Sequence, residues 1–180
     1  MPNVITEITP LSDKDCFYIT ERNKQCFDYP LHHHKEYEIN FVSRGRGARR
    51  IVGDSIEEIG ELDLVLVGPD LEHVWEQHEC NSSDIYEITL HFAGDIFSRQ
   101  LLSRTQLAPL KTLLEEARLG VCFDVHTILT AYSRIERLLK EESGFHRFIH
   151  FLELLHHLAT SGGHRVLASS SFAKLSDSAE

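Results

Sequence analysis

Residues 32–45 read HHHKEYEINFVSRG, and the spacing of their polar groups sets how the rest of the chain is read. His32, His34 and Glu38 form the pattern HxHxxxE, and Gly45 follows after six further residues. Side chains of a β-strand alternate between its two faces, so a strand regular throughout would send His32, His34 and Glu38 to one face. Two imidazoles and a carboxylate converging on one point suit a borderline divalent metal such as Zn, Ni, Fe or Mn. From Tyr37 to Ser43 the alternation continues. Tyr37, Ile39 and Phe41 share an apolar side; Glu36, Glu38, Asn40 and Val42 share the other.

Strand-like runs lie on both sides of this one. Cys16–Thr20 and Cys26–Tyr29 are short and β-rich, separated by the polar turn Glu21-Arg22-Asn23-Lys24. Ala48–Val52 and Ser55–Ile59 read as a hairpin around Gly53-Asp54. Leu62–Val67 is nearly all apolar, as a strand covered on both faces should be, and Gly68-Pro69-Asp70 stops it. His73–His78 and Ile85–Phe92 follow, the latter alternating Tyr86, Ile88, Leu90 and Phe92 with Glu87, Thr89 and His91. Short strands with turn signals at regular spacing predict a sandwich or barrel.

After Gly94 the period changes to three and four. Pro109 fits the first turn of a helix running to about Leu119 and ended by Gly120. Ile128, Leu129, Tyr132, Ile135, Leu138 and Leu139 form one helical stripe between Asp124 and Gly144. A last helix, Phe145–Thr160, carries two stripes: Phe145, Phe148, Ile149, Leu152 and Leu155, then Phe151, Leu154 and Leu158. One stripe can cover the barrel. The other needs the monomer's interior or a partner helix, and the expectation is a homodimer through this helical half. The predicted organisation is a barrel over 1–94, a helical dimerisation segment packed on it over 95–162, and a small-residue, polar linker over 163–180.

Composition narrows the function. With 42% hydrophobic and 26% charged residues in 180, one globular domain is the default. No apolar run is long enough to span a bilayer, and MPNVITEITPLSDKD lacks the features of a secretory signal. Cys16, Cys26, Cys80 and Cys122 are scattered, without a CxxC pair, which reads as reduced thiols in a cytoplasm. Eighteen Lys and Arg against 28 Asp and Glu give a net charge of −10. That surface repels phosphate backbones and argues against direct nucleic-acid binding by these residues. The cluster Arg44, Arg46, Arg49 and Arg50 reads as a solvated hairpin.

The HxHxxxE-x6-G stretch resembles the first motif of the cupin superfamily, G-x5-HxH-x3,4-E-x6-G, from its first histidine onward. The second motif, G-x5-PxG-x2-H-x3-N, is matched loosely: Gly60 and Pro69 stand too far apart, His73 comes four residues after the proline, and Gln77 replaces asparagine. A closer resemblance covers most of the chain. HHHKEYEINFVSRGRG, ELDLVLVGPDLEHVW and YEITLHFAGDIF, with ARLGVCFD and GFHRFIHFLELLHHLATS in the helical half, are similar to the N-terminal sensory domain of AraC-type transcriptional regulators.

The resemblance implies a mainly β fold with C-terminal α: a cupin-type jelly-roll β-barrel followed by a helical dimerisation segment. It implies a small polar effector, a sugar for instance, bound near His32, His34, Glu38, Asn40, Trp75 and Gln77. It also implies that DNA is reached only through a helix-turn-helix domain absent from these residues. A divalent metal would take His32, His34, Glu38 and His73 as ligands; without one, the same groups make a hydrogen-bonded polar cluster. Trp75, the sole tryptophan, is either plain core or a ring for an effector to stack on, and His91 has the polar parity of its strand. The rival reading is a stand-alone cupin metalloenzyme, a dioxygenase or isomerase, built on the same four ligands.

Overall fold

A computed structural model describes residues 4–170 and 172. Nine strands come first: β1 (Ile5–Thr6), β2 (Phe17–Lys24), β3 (His32–His33), β4 (Tyr37–Ser43), β5 (Arg49–Val52), β6 (Ser55–Glu58), β7 (Leu62–Val67), β8 (His73–Glu76) and β9 (Ile85–Phe92). The second half holds α1 (Arg99–Leu102), α2 (Ala108–Glu116), β10 (Val121–Phe123), α3 (Val125–Lys140), α4 (Gly144–Thr160) and β11 (His164–Val166). Two sheets form, in the orders β1-β3-β8-β5-β6 and β11-β10-β7-β4-β9-β2. Val42, Val65 and Val67 of the second sheet pack with Val52, Ala48 and Trp75 on the first, so the sheets face one another as a cupin-like barrel.

The alternation along β4 decides which way each sheet face turns. Its apolar residues Ile39 and Phe41 point away from the barrel, joining Leu64, Leu66, Ile88, Leu90 and Phe92 under the helices. The other parity, Glu38, Asn40 and Val42, therefore faces the barrel interior. With both faces covered, β7 is apolar along nearly its whole length. Gly45 closes the motif because of close packing: a Cβ there would lie 2.6 Å from Val42 Cγ1. Gly53 supplies the positive φ of 57° in the two-residue turn that registers Val52 against Ser55.

The helices start where their caps predict. Asp124 Oδ1 accepts the Thr127 N–H at 2.7 Å, Ser143 caps α4, and Pro109 sits in the first turn of α2. On α4 the structure corrects the sequence reading. Phe151, Leu154 and Leu158, expected to need a cover, are 0% exposed in the monomer. Phe151 stacks on Phe17 at 4.9 Å, and α4 packs against α2 and α3, so the chain itself covers both sides of the helix. The large apolar side chains that the helical half leaves exposed are Leu101 on α1, Val125 and Leu129 on α3, and Phe145 at the start of α4.

Other expectations are also corrected. Glu21–Lys24 is no turn, because β2 runs unbroken along β9 from Phe17 to Lys24, and residues 26–29 form no strand. The helical half lends two strands to the barrel's sheet: β10 pairs with β7, and β11 with β10. The stretch read as a linker thus begins inside the fold; most of the rest of it lies outside the described residues. Arg50 is not solvated. It is 3% exposed, held by Asp63 and by Glu57 at 2.6 Å, and Arg165 of β11 grips the same Glu57 through both oxygens.

Candidate functional site

His32, His34 and Glu38 do converge, though not as one regular strand. The chain leaves the five-stranded sheet after His33, crosses at residues 34–36, and enters the six-stranded sheet at Tyr37. Their meeting is a product of two facing sheets. His73 on β8 stands opposite His32 in register, and His91 on β9 stands opposite Glu38. Glu38 Oε2 is the hub, 2.8 Å from His34 Nε2, 3.3 Å from His73 Nε2 and 3.1 Å from His91 Nε2. Among the described residues, the ligand atoms of His32, His34, Glu38 and His73 all lie within 4.8 Å of one another.

The other ring nitrogens fix the chemistry of this cluster. His32 Nδ1 donates to the Pro30 carbonyl at 2.9 Å, His34 Nδ1 to Glu36 at 3.0 Å, and His73 Nδ1 to Leu71 at 2.8 Å. In a neutral ring so held, Nε2 carries a lone pair, and for His34 and His73 that lone pair faces a carboxylate oxygen. Two acceptors in contact need a proton or a cation between them. Backbone carbonyls orienting Nδ1 are also what metal-binding imidazoles characteristically have behind them. The donor set therefore fits a divalent metal.

Electrostatics agree that the carboxylate is charged. Burial pushes Glu38 up, but His73 and the hydrogen bonds from His34, His73 and His91 outweigh it and hold its pKa well below the usual value. Burial likewise pushes His34 down, and Glu38 more than reverses it. His32 is lowered to about 4 by burial and by His73, so its ring is neutral near pH 7.

Beside the cluster lies a cavity of about 140 Å³ between the sheets. His32, Glu38, Asn40, Trp75 and His91 line it, with Tyr18, Thr20 and Arg22 from β2. Trp75 is 5% exposed, lies on the cavity wall, and donates its indole N–H to Asp63. Gln77 does not reach the cavity. Its side chain accepts the Phe27 N–H at 2.9 Å and donates to the Cys80 carbonyl, a use of its amide that the effector reading did not anticipate. His91 belongs to the hub more firmly than parity alone suggested, and the β2 residues were missed. Their signal was the alternation Tyr18, Thr20, Arg22, hidden by reading a turn at Glu21.

A family model for the AraC-like ligand binding domain matches residues 17–172. The chain belongs to that family. The AraC-like domain has further likenesses among solved structures. An apo ToxT variant from Vibrio cholerae is 11% identical with a TM-score of 0.48, aligning over 84% of this chain and 55% of that one. ToxT from Vibrio cholerae bound to (E)-4-(8-methylnaphthalen-1-yl)but-3-enoic acid is 15% identical with a TM-score of 0.45, over 78% and 54%. A cupin 2 conserved barrel domain protein from Rhodopseudomonas palustris is 17% identical with a TM-score of 0.37, over 47% and 57%. This AraC-like domain spans a little over half the length of those structures. No curated protein matches it. No helix among its described residues is long and apolar enough to cross a membrane.

Proposed function

We propose that this AraC-like domain senses a small polar effector in the barrel of a cytoplasmic transcription regulator. The observation that carries the reading is the cavity, polar and walled by both sheets, in a ligand-binding family. Below the roughly 300–1,000 Å³ of drug-sized ligand sites, it suits a small metabolite. Binding controls the regulator to the extent that the effector prefers one of two arrangements of the protein. The acidic charge of these residues leaves DNA contact to a helix-turn-helix domain elsewhere in the regulator.

Two features accompany this role. His32, His34, Glu38 and His73 would hold a divalent metal, which would supply a Lewis acid at the cavity's edge. His34 and His73 would bind it through Nε2, the nitrogen left free by the carbonyl that holds each Nδ1. A second copy of the chain covers Val125 and Leu129, which recur four residues apart on one exposed face of α3. The enzyme reading rests on the same four ligands; the family match favours the sensor. Thermal-shift screening of small polar metabolites tests the proposal. A reproducible rise in melting temperature supports it, and a response that turns a candidate ligand over would establish the enzyme instead.

A further inference from the structure

Trp75 stands at one end of an unbroken row of polar contacts that runs from the cavity wall to the seam of the barrel. Arg50 on β5 lies in register with Trp75 on β8 and, on its other side, with Glu57 on β6. The indole N–H of Trp75 donates to Asp63 Oδ2 at 2.9 Å, and Arg50 donates to Asp63 Oδ1 and, at 2.6 Å, to Glu57 Oε2. Arg165 of β11 donates to both oxygens of the same Glu57, at 2.9 and 2.5 Å. β6 ends one sheet and β11 ends the other, so this last pair ties the two borders together. Charge alternates along the row, and its inner members, Trp75, Asp63 and Arg50, are at most 5% exposed.

The residues after β11 are fastened to the same hairpin. Asp54, in the β5–β6 turn, accepts the backbone N–H of Ser169 at 2.8 Å and its hydroxyl as well. Gly53 beside it allows the close approach: a Cβ there would lie 2.8 Å from Ala168 Cβ and 3.1 Å from Phe172 Cε1. Leu167 and Ala168 donate their backbone N–H groups to the carbonyls of Gly120 and Leu119, at 2.9 and 2.8 Å. Leu167 and Phe172 pack on the core cluster that holds Val52 and Trp75. Ser169 is exposed, and a clasp made at the surface opens at a lower free energy than the core does.

We propose that this row couples the cavity to the clasp: a ligand that draws the indole of Trp75 away from Asp63 loosens Arg50, Glu57 and Arg165 in turn and releases residues 167–169 from the hairpin. Docked and released clasps are then the two arrangements between which the effector selects. The inference rests on the sensing role above for its input and supplies its output.

Amide exchange of the full chain, followed residue by residue by NMR, tests the coupling without a ligand. Trp75→Phe keeps a ring and removes the donor. The amides of Leu167, Ala168 and Ser169 should then exchange about tenfold faster, the scale of one lost hydrogen bond to a charged group. Those of Ile88 and Leu90 should change no more than the melting curve accounts for. In the variant carrying both Arg50→Met and Asp63→Leu the row is cut, and Trp75→Phe should add nothing at 167–169. Glu57→Gln makes the cut at the outer end should the double variant fail to fold. Unchanged exchange at 167–169 in Trp75→Phe, an equal rise throughout the sheets, or the same rise in the cut backgrounds overturns the proposal. No effector enters the measurement, so its failure strikes the coupling alone, and the sensing role stands or falls by the thermal-shift screen.

Discussion

The indole N–H of Trp75 donates to Asp63 Oδ2 at 2.9 Å, and the other oxygen of the same carboxylate holds Arg50. A ring on the cavity wall is thereby fastened to an ion pair whose members are 3% and 6% exposed at their side chains. Removing Asp63 leaves the buried Arg50 with Glu57 as its remaining partner and the indole N–H of Trp75 without an acceptor. Asp63→Leu should therefore cost about 3–5 kcal/mol in chemical denaturation, while Arg50→Met combined with Asp63→Leu should recover much of the loss. Strict additivity of the two single losses would show that the pair is not coupled.

The histidine cluster makes a sharper statement about metal. Zn²⁺ or Ni²⁺ in hundredfold excess over its dissociation constant should stabilise the protein by about 2.7 kcal/mol, and His34→Ala should remove that response. Unchanged melting of the unaltered protein, with no metal found by elemental analysis, would leave a proton-bridged polar cluster.

Glu57 gives the pH dependence. The hydrogen bonds from Arg165 hold its pKa below the ordinary 4.5 despite partial burial, with the charge of Arg50 adding to them. A carboxylate depressed by folding stabilises the protein above its unfolded pKa and loses that contribution as the pH falls. Glu57→Gln should accordingly melt below the unaltered protein at neutral pH, and the gap should narrow as the pH drops beneath 4.5. A gap independent of pH would assign Glu57 a packing role.

The two helical leucines should behave in opposite ways. Leu154 is fully buried, so Leu154→Glu should destabilise the monomer by several kcal/mol, as a charge forced into a core does. Leu129 is 59% exposed, so Leu129→Glu should leave the melting of the monomer nearly unchanged and release monomers from the proposed dimer. Light scattering after size exclusion reads both. A unaltered chain that is monomeric at micromolar concentration would end the dimer proposal.

Much of this was legible in the sequence because local chemistry dictates it. Strand β9 and helix α3 follow from periodicity and an Asp cap, and β7 from an unbroken apolar run. Less legible was anything set by contacts distant along the chain. Nothing local says that β3 and β4 belong to different sheets, although their facing is what brings His32 to Glu38. Glu21 to Lys24 look like a turn, yet pairing with β9 holds them extended, an instance of tertiary context overriding local propensity. The three-residue strands β10 and β11 are too short to show a period at all. The second stripe of α4 was visible, but its cover lay elsewhere on the same chain.

Strand β11 has a consequence for anyone who shortens this protein. It occupies the outer side of β10, whose inner side is already paired with β7. A version ending after Thr160 would bare the backbone N–H and C=O row of β10 beside the buried Val121 and Phe123. Such an uncovered border is a template for another chain. The shortened protein should then fail by clumping, or by borrowing β11 from a full-length neighbour, before it fails by melting.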